Sequence, residues 1–138
     1  MQIVMNYVFR GIEYMVYEAQ EYVPGAAGIR LLGSRRYGIG ADRILIMENL
    51  SPNSNFQIFT ADGNEIAATE QDYLILRCYL QQNISSENFA DTDSFKKDIL
   101  KMVRQIGEEE ICNAEIHLTD NFIDKMREED RQRMVFAC

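Results

Sequence analysis

Cysteine is scarce, histidine nearly absent and basic residues are outnumbered, and each shortage removes a class of function. The 138-residue chain has three cysteines, Cys78, Cys112 and Cys138, in odd number and with no CxxC spacing. A disulfide framework is therefore not expected, and a reducing compartment fits. His117 is the single histidine. With no second histidine and no cysteine cluster, neither a zinc site nor any other metal or cofactor is expected. Fourteen basic residues face 22 acidic ones, for a formal charge of −8. That charge argues against nucleic acid, whose phosphates need a basic surface, and against an anionic membrane. Apolar runs stay short, as at Ile44–Met47, so no bilayer-spanning helix is expected. The N-terminal MQIVMNYVFRG has no basic leader and no small-residue cleavage site, and does not read as a signal peptide. No repeat, low-complexity tract or Pro/Gly-rich linker divides the chain. The expectation is one cytoplasmic globular domain over residues 1–138, at 46% hydrophobic and 26% charged residues.

Local patterns give an α+β reading. Residues 2–9 and 12–18 are rich in β-branched and aromatic residues and flank Arg10-Gly11, which predicts a hairpin. Pro24-Gly25 opens a loop before a short helix through Ala26–Leu32. Arg43–Glu48 reads as a buried strand, Phe56–Thr60 as a half-buried one, and Asp62-Gly63-Asn64 as a turn. Thr69 with Asp72 three residues on is a capping-box signature for a helix over Tyr73–Leu80. That helix is apolar on nearly all sides, so it should be buried on nearly all sides. Cys78 within it reads as a small core hydrophobe. Phe95, Ile99, Met102, Val103 and Ile106 share one helical face and predict an outer amphipathic helix over 94–106. Ile111–Thr119 alternates, which buries Cys112 and turns His117 away from Ile116 and Leu118. Asp120 should cap a short helix through Met126. Arg127–Arg133 reads as a solvated turn and Met134–Ala137 as a last strand, with Cys138 undecided. The architecture expected is a curved, mainly antiparallel sheet around one buried helix.

Two stretches carry more than fold. Arg35-Arg36-Tyr37-Gly38-Ile39-Gly40-Ala41-Asp42 runs into the strand Ile44–Met47, and Ile58-Phe59-Thr60-Ala61-Asp62-Gly63-Asn64-Glu65 runs into the buried helix. With Gly11-Ile12-Glu13-Tyr14 upstream, their order and spacing resemble the N-terminal half of diaminopimelate epimerase. That family has an RxxGIGxD segment before a strand and an IFNADGSE segment before its central helix. The resemblance covers roughly residues 11–80; residues 81–138 show none. It implies half of a two-domain frame, each half a curved half-barrel sheet around a central helix, with the active site in the cleft between. It further implies cofactor-independent acid/base work by two cysteines, one from each half. The substrate carboxylate would sit at helix N-termini, where free N–H groups and the dipole favour an anion.

By the same resemblance, the site positions here are altered. The catalytic cysteine falls at Thr69, and the glycine-rich cradle after it at Glu70, Gln71 and Asp72. Substrate-contacting positions fall at Ile12, Thr60 and Arg43, whereas the turn positions Gly38, Gly40, Asp42, Asp62, Gly63 and Glu65 persist. A threonine hydroxyl is a far weaker acid than a thiol and needs an activating base. A helix N-terminus favours an anion by about 0.3–1 kcal/mol, or about 2 when partly buried. A carboxylate of Glu70 or Asp72 about 5 Å away would repel that anion by roughly 3 kcal/mol. The expectation is a non-catalytic binding or assembly protein, a homodimer or a partner of another protein. Its uncovered sheet face would need a cover, and Thr69 and Asp72 would serve as reciprocal caps. The alternative is an isomerase whose site is completed between two chains, with Cys112 or Cys138 of a neighbour facing Thr69, or with Asp42 or Glu70 as a replacement acid. A sensor of a small anionic ligand using Arg43 and Thr60 is a third reading.

Overall fold

The structure, a computed structural model, describes residues 2–48, 55–83 and 111–136. Gln2–Phe9 (β1) and Ile12–Ala19 (β2) form the expected hairpin, with Phe9 opposite Ile12. Arg10 and Gly11 both have positive φ, 52° and 77°. That is the two-residue turn whose twist matches the strands it joins. The chain crosses through Ala26–Gly33 (α1) and returns as Arg43–Glu48 (β3), parallel to β2. Asn55–Thr60 (β4) and the two-residue Glu65–Ile66 (β5) follow antiparallel. Glu70–Asn83 (α2), Cys112–Leu118 (β6) and Asp120–Phe136 (α3) complete the described elements. The sheet order is β5-β4-β3-β2-β1-β6, with β2–β3 the one parallel pair.

Strict alternation along the strands makes two cores. Tyr7, Phe9, Tyr14, Val16, Leu45 and Ile58 point to one face and bury α2 through Leu74, Ile75, Leu76 and Leu80. Phe56 meets Tyr73 edge to face at 5.5 Å. Val4, Met15, Tyr17, Ile44, Ile46 and Leu118 point the other way and pack against Ile29 and Leu32 of α1 and Ile123 and Met126 of α3. The fold is thus α+β, with helices on both faces of a mixed sheet. Leu74, Ile75 and Leu76, consecutive around the helix, are all fully buried, as the all-round apolar pattern of α2 predicts.

The turn between β4 and β5 depends on Gly63. Its φ of +84° is open to glycine, and an added Cβ would lie 2.5 Å from the Ala26 carbonyl oxygen of α1. The Gly63 N–H donates to the Thr60 carbonyl and the Thr60 N–H to the Asn64 carbonyl, which turns the chain from β4 into β5.

Four expectations fail beyond residue 110. The cap of the last helix, α3, is Thr119 rather than Asp120: Thr119 Oγ1 accepts from the Phe122 N–H at 3.1 Å and its carbonyl from the Ile123 N–H at 3.1 Å. The segment 127–133 is not a solvated turn, and 134–136 is not a strand: α3 runs on through Phe136. Its register explains this. Asp130 lies four residues after the buried Met126, on the helix side that faces α1, and its carboxylate accepts from the Gly25 N–H at 2.9 Å and the Gly28 N–H at 2.7 Å. The Tyr22 hydroxyl donates to the same carboxylate. One acid thereby caps α1 and anchors α3. Gly28 is needed there, because a Cβ would lie 2.5 Å from the Tyr22 hydroxyl oxygen and 2.8 Å from Asp130 Oδ2. Cys112 is exposed, not buried, because β6 is an outer strand and its first half is uncovered on both faces. Cys78 is buried as expected. The predicted amphipathic helix 94–106 and Cys138 lie outside the described residues.

Candidate functional site

Alternation and register place Tyr14, Arg43 and Thr60 in one row across β2, β3 and β4, with Tyr14 opposite Arg43 and Arg43 opposite Thr60. All three face α2, whose first turn lies over the row. Thr69 is the N-cap: the Tyr73 N–H donates to its carbonyl at 3.2 Å. The reciprocal half is made by Asp72, whose Oδ2 accepts from the Thr69 N–H at 2.8 Å and from Thr69 Oγ1 at 3.0 Å. The capping box read in the sequence is therefore present.

Asp72 does more than cap. Its side chain is fully buried and takes a two-pronged contact from Arg43, with Nε donating to Oδ1 at 2.7 Å and Nη2 to Oδ2. The fork of the guanidinium matches both carboxylate oxygens at once. Bonding to Asp72 raises the Arg43 pKa from its ordinary value, against the opposing effect of burial. The Tyr14 hydroxyl donates to Gln71 Oε1 at 2.8 Å. Burial first, and the Asp72 carboxylate second, push the Tyr14 pKa up, with Arg43 opposing them. Thr60 Oγ1 is enclosed with no hydrogen-bond partner among the described residues.

Of the positions singled out in the sequence, Arg43, Thr60, Thr69, Gln71 and Asp72 are brought together here, with Glu70 exposed on the first turn of α2. Ile12 packs against the α2-side core and presents no polar group. Asp42 stands apart from the cluster as a clamp. Its Oδ2 accepts from the Glu13 N–H at 2.9 Å, its own N–H donates to the Glu13 carbonyl at 2.9 Å, and Arg35 bonds Oδ1 at 3.0 Å. Arg35 also reaches Glu13 at 3.2 Å, so the loop after α1 is tied to the start of β2. These carboxylates raise the Arg35 pKa, Glu13 contributing most.

The repulsion expected from Asp72 is changed by its partner. Paired with Arg43, the carboxylate is not a bare negative charge. It closes the helix N-terminus by occupancy: an anion is already there, bonded to the cap and to the nearest guanidinium. Tyr14 and the Arg43–Asp72 pairing were missed in the sequence because both contacts cross between β-strands and α2. Tyr14 stood within the quoted Gly11–Tyr14 pattern, which was the available signal.

The arrangement offers no activated nucleophile. Thr69 Oγ1 donates to a carboxylate that already holds Arg43, and no histidine or thiol faces it among the described residues. Cys112 lies on the outer strand β6, three strands from β3. His117 is half exposed and pairs with Glu115 at 3.1 Å. No group of three His, Cys, Asp or Glu side chains suited to a metal occurs among the described residues. A groove of about 380 Å³ lies on the opposite side of the sheet, between Tyr17, Tyr22 and the start of α3, and includes none of the cluster residues. No helix among the described residues is long and apolar enough to cross a membrane. No protein-family model matches the chain, and no curated protein matches it.

Proposed function

We propose that this chain is a diaminopimelate-epimerase-like protein that has given up the family's chemistry and acts by binding or assembly, as a homodimer or with a protein partner. The observation that carries the reading is the Asp72 carboxylate, buried at the N-terminus of α2 and forked by Arg43. In the resembling family a substrate carboxylate takes that kind of place. Here a side chain of the protein fills it, and a capping threonine stands at the position of the reactive thiol. Under this reading the sheet with α2 corresponds to one half of the family's two-domain frame, kept for its shape.

Seating an external carboxylate would require expelling Asp72 from Arg43 and from two Thr69 donors. Breaking a buried pair of this kind costs about 3–5 kcal/mol. An exposed helix N-terminus returns only about 0.3–1 kcal/mol to a bound anion. The internal anion wins. The test is α-proton exchange in deuterated buffer across a broad panel of amino acids, with Thr69→Ala as control. No exchange is expected in either protein. Exchange in the wild type that disappears in Thr69→Ala would establish the two-chain isomerase instead.

A further inference from the structure

We propose that β6 is a self-pairing edge, and that a second copy of this chain adds its own β6 antiparallel to it about a twofold axis at Ile116. The inference deepens the assembly reading and rests on it for the expectation of a partner.

Several observations converge on this edge. Both faces of the central strands are covered by helices, so the uncovered face expected from the sequence is not where the sheet is open. Among the described residues the opening is at β6, which borders β1 alone and is the last strand in the order. Its first four residues, Cys112 to Glu115, are exposed, and so is His117, on both faces of the sheet. Seven residues pair continuously with β1, from Val8 opposite Cys112 to Gln2 opposite Leu118, with no bulge. Outer strands that stay alone are ordinarily blunted by charged side chains, lysine above all, by proline or by a bulge. Cys112–Leu118 has no lysine, proline or bulge, and its one acid, Glu115, is engaged by His117. Ile3 and Val8, two of the four exposed large hydrophobics among the described residues, sit on β1 directly beside it.

Side-chain pairing selects the occupant and the register. Opposed residues of an antiparallel pair share a face, so a twofold pairing must be centred on a residue. Centring on Glu115 sets like charges directly opposite, which is unfavourable. Centring on Ala114 pairs Glu115 with Asn113 and leaves it without, on the opposite strand, the imidazole it contacts within its own strand. Centring on Ile116 sets Glu115 against His117 of the second copy, and His117 against its Glu115. Each already contacts the other within its own strand at 3.1 Å, so the seam would hold four alternating groups. On the other face Ile116 meets its own copy, beside the exposed Ala114, whereas Leu118 is already buried within its own chain. The strand is thus self-complementary in its Glu–His pairing about one residue.

The experiment is sedimentation of the full chain with two variants that fail alone and succeed together. His117→Glu makes the seam wholly acidic and Glu115→Lys removes its acid. The wild type is expected to sediment as a dimer at 100 μM and each variant as a monomer, with an equimolar mixture recovering the dimer. A contact made only within one chain cannot be repaired by mixing. Ile116→Cys with Cys112→Ser should additionally oxidise to a disulfide-linked dimer, since the axis brings the two positions together. A monomeric wild type, a dimer that survives in His117→Glu, or a mixture that stays monomeric would each overturn the proposal. An inert monomer sinks the dimer alone; an exchange-active protein sinks the function proposed above.

Discussion

Replacing Asp72 by alanine removes the anion that α2 and Arg43 share. The side chain is fully buried, and the Arg43 side chain is 20% exposed, so the stranded guanidinium has little access to water. Loss of one member of such a pair costs about 3–5 kcal/mol, and this includes the cap, worth about 1 kcal/mol by itself. For a chain of this length the melting temperature should fall by about 10–20 °C. Urea unfolding of Asp72→Ala, Arg43→Met and the double variant measures the terms separately. The double should lie well above the sum of the singles, because it leaves neither charge unpaired. Formate at tens of millimolar should raise the melting temperature of Asp72→Ala more than that of the wild type, by refilling the vacated place. A loss below about 1 kcal/mol in Asp72→Ala, or strict additivity in the double, would refute the claim that this carboxylate is held as an internal ligand.

Asp130→Asn should cost about 1–2 kcal/mol, read by urea unfolding, because the carboxylate caps α1 through Gly25 and Gly28 while anchoring α3. Gly28→Ala, which drives a methyl into Tyr22 and Asp130, should cost about 1–3 kcal/mol and raise amide exchange in both helices. Stability should fall with alkali. Burial raises the pKa of Tyr7, Tyr14, Tyr17, Tyr22 and Tyr79, that of Tyr17 to about 12. The unfolded chain releases these protons first, so folding weakens from about pH 10 upward, by about 2 kcal/mol for Tyr17 alone by pH 12. The greater part of the tyrosinate absorbance, that of these five among the seven tyrosines, should therefore appear together with the loss of helical dichroism rather than before it.

Local signals were legible in the sequence and long-range ones were not. The Arg10-Gly11 turn, α1 after Pro24-Gly25 and the Thr69–Asp72 box each depend on residues within four positions of one another, and each stands where the pattern puts it. The acidic and basic run after Met126 looked solvated because the role of Asp130 is set by Gly25 and Gly28, about a hundred residues earlier. Alternation along 112–118 gave the faces of β6 correctly, yet no sequence period reports whether a neighbour covers a face, so Cys112 was misplaced. Arg43 and Asp72 were both singled out, one as a ligand contact and the other as a cap. Only the fold brings them within 2.7 Å and makes each the reason for the other.

The most direct measurement is amide chemical shift at Thr69 through Tyr73 while free amino acids are titrated in to tens of millimolar. With the place already taken, these amides should stay still for every amino acid in the wild type, and move with formate only once Asp72 is alanine. Saturable movement of the same amides in the wild type, absent after Arg43→Met, would show an external carboxylate seated where the account puts the protein's own.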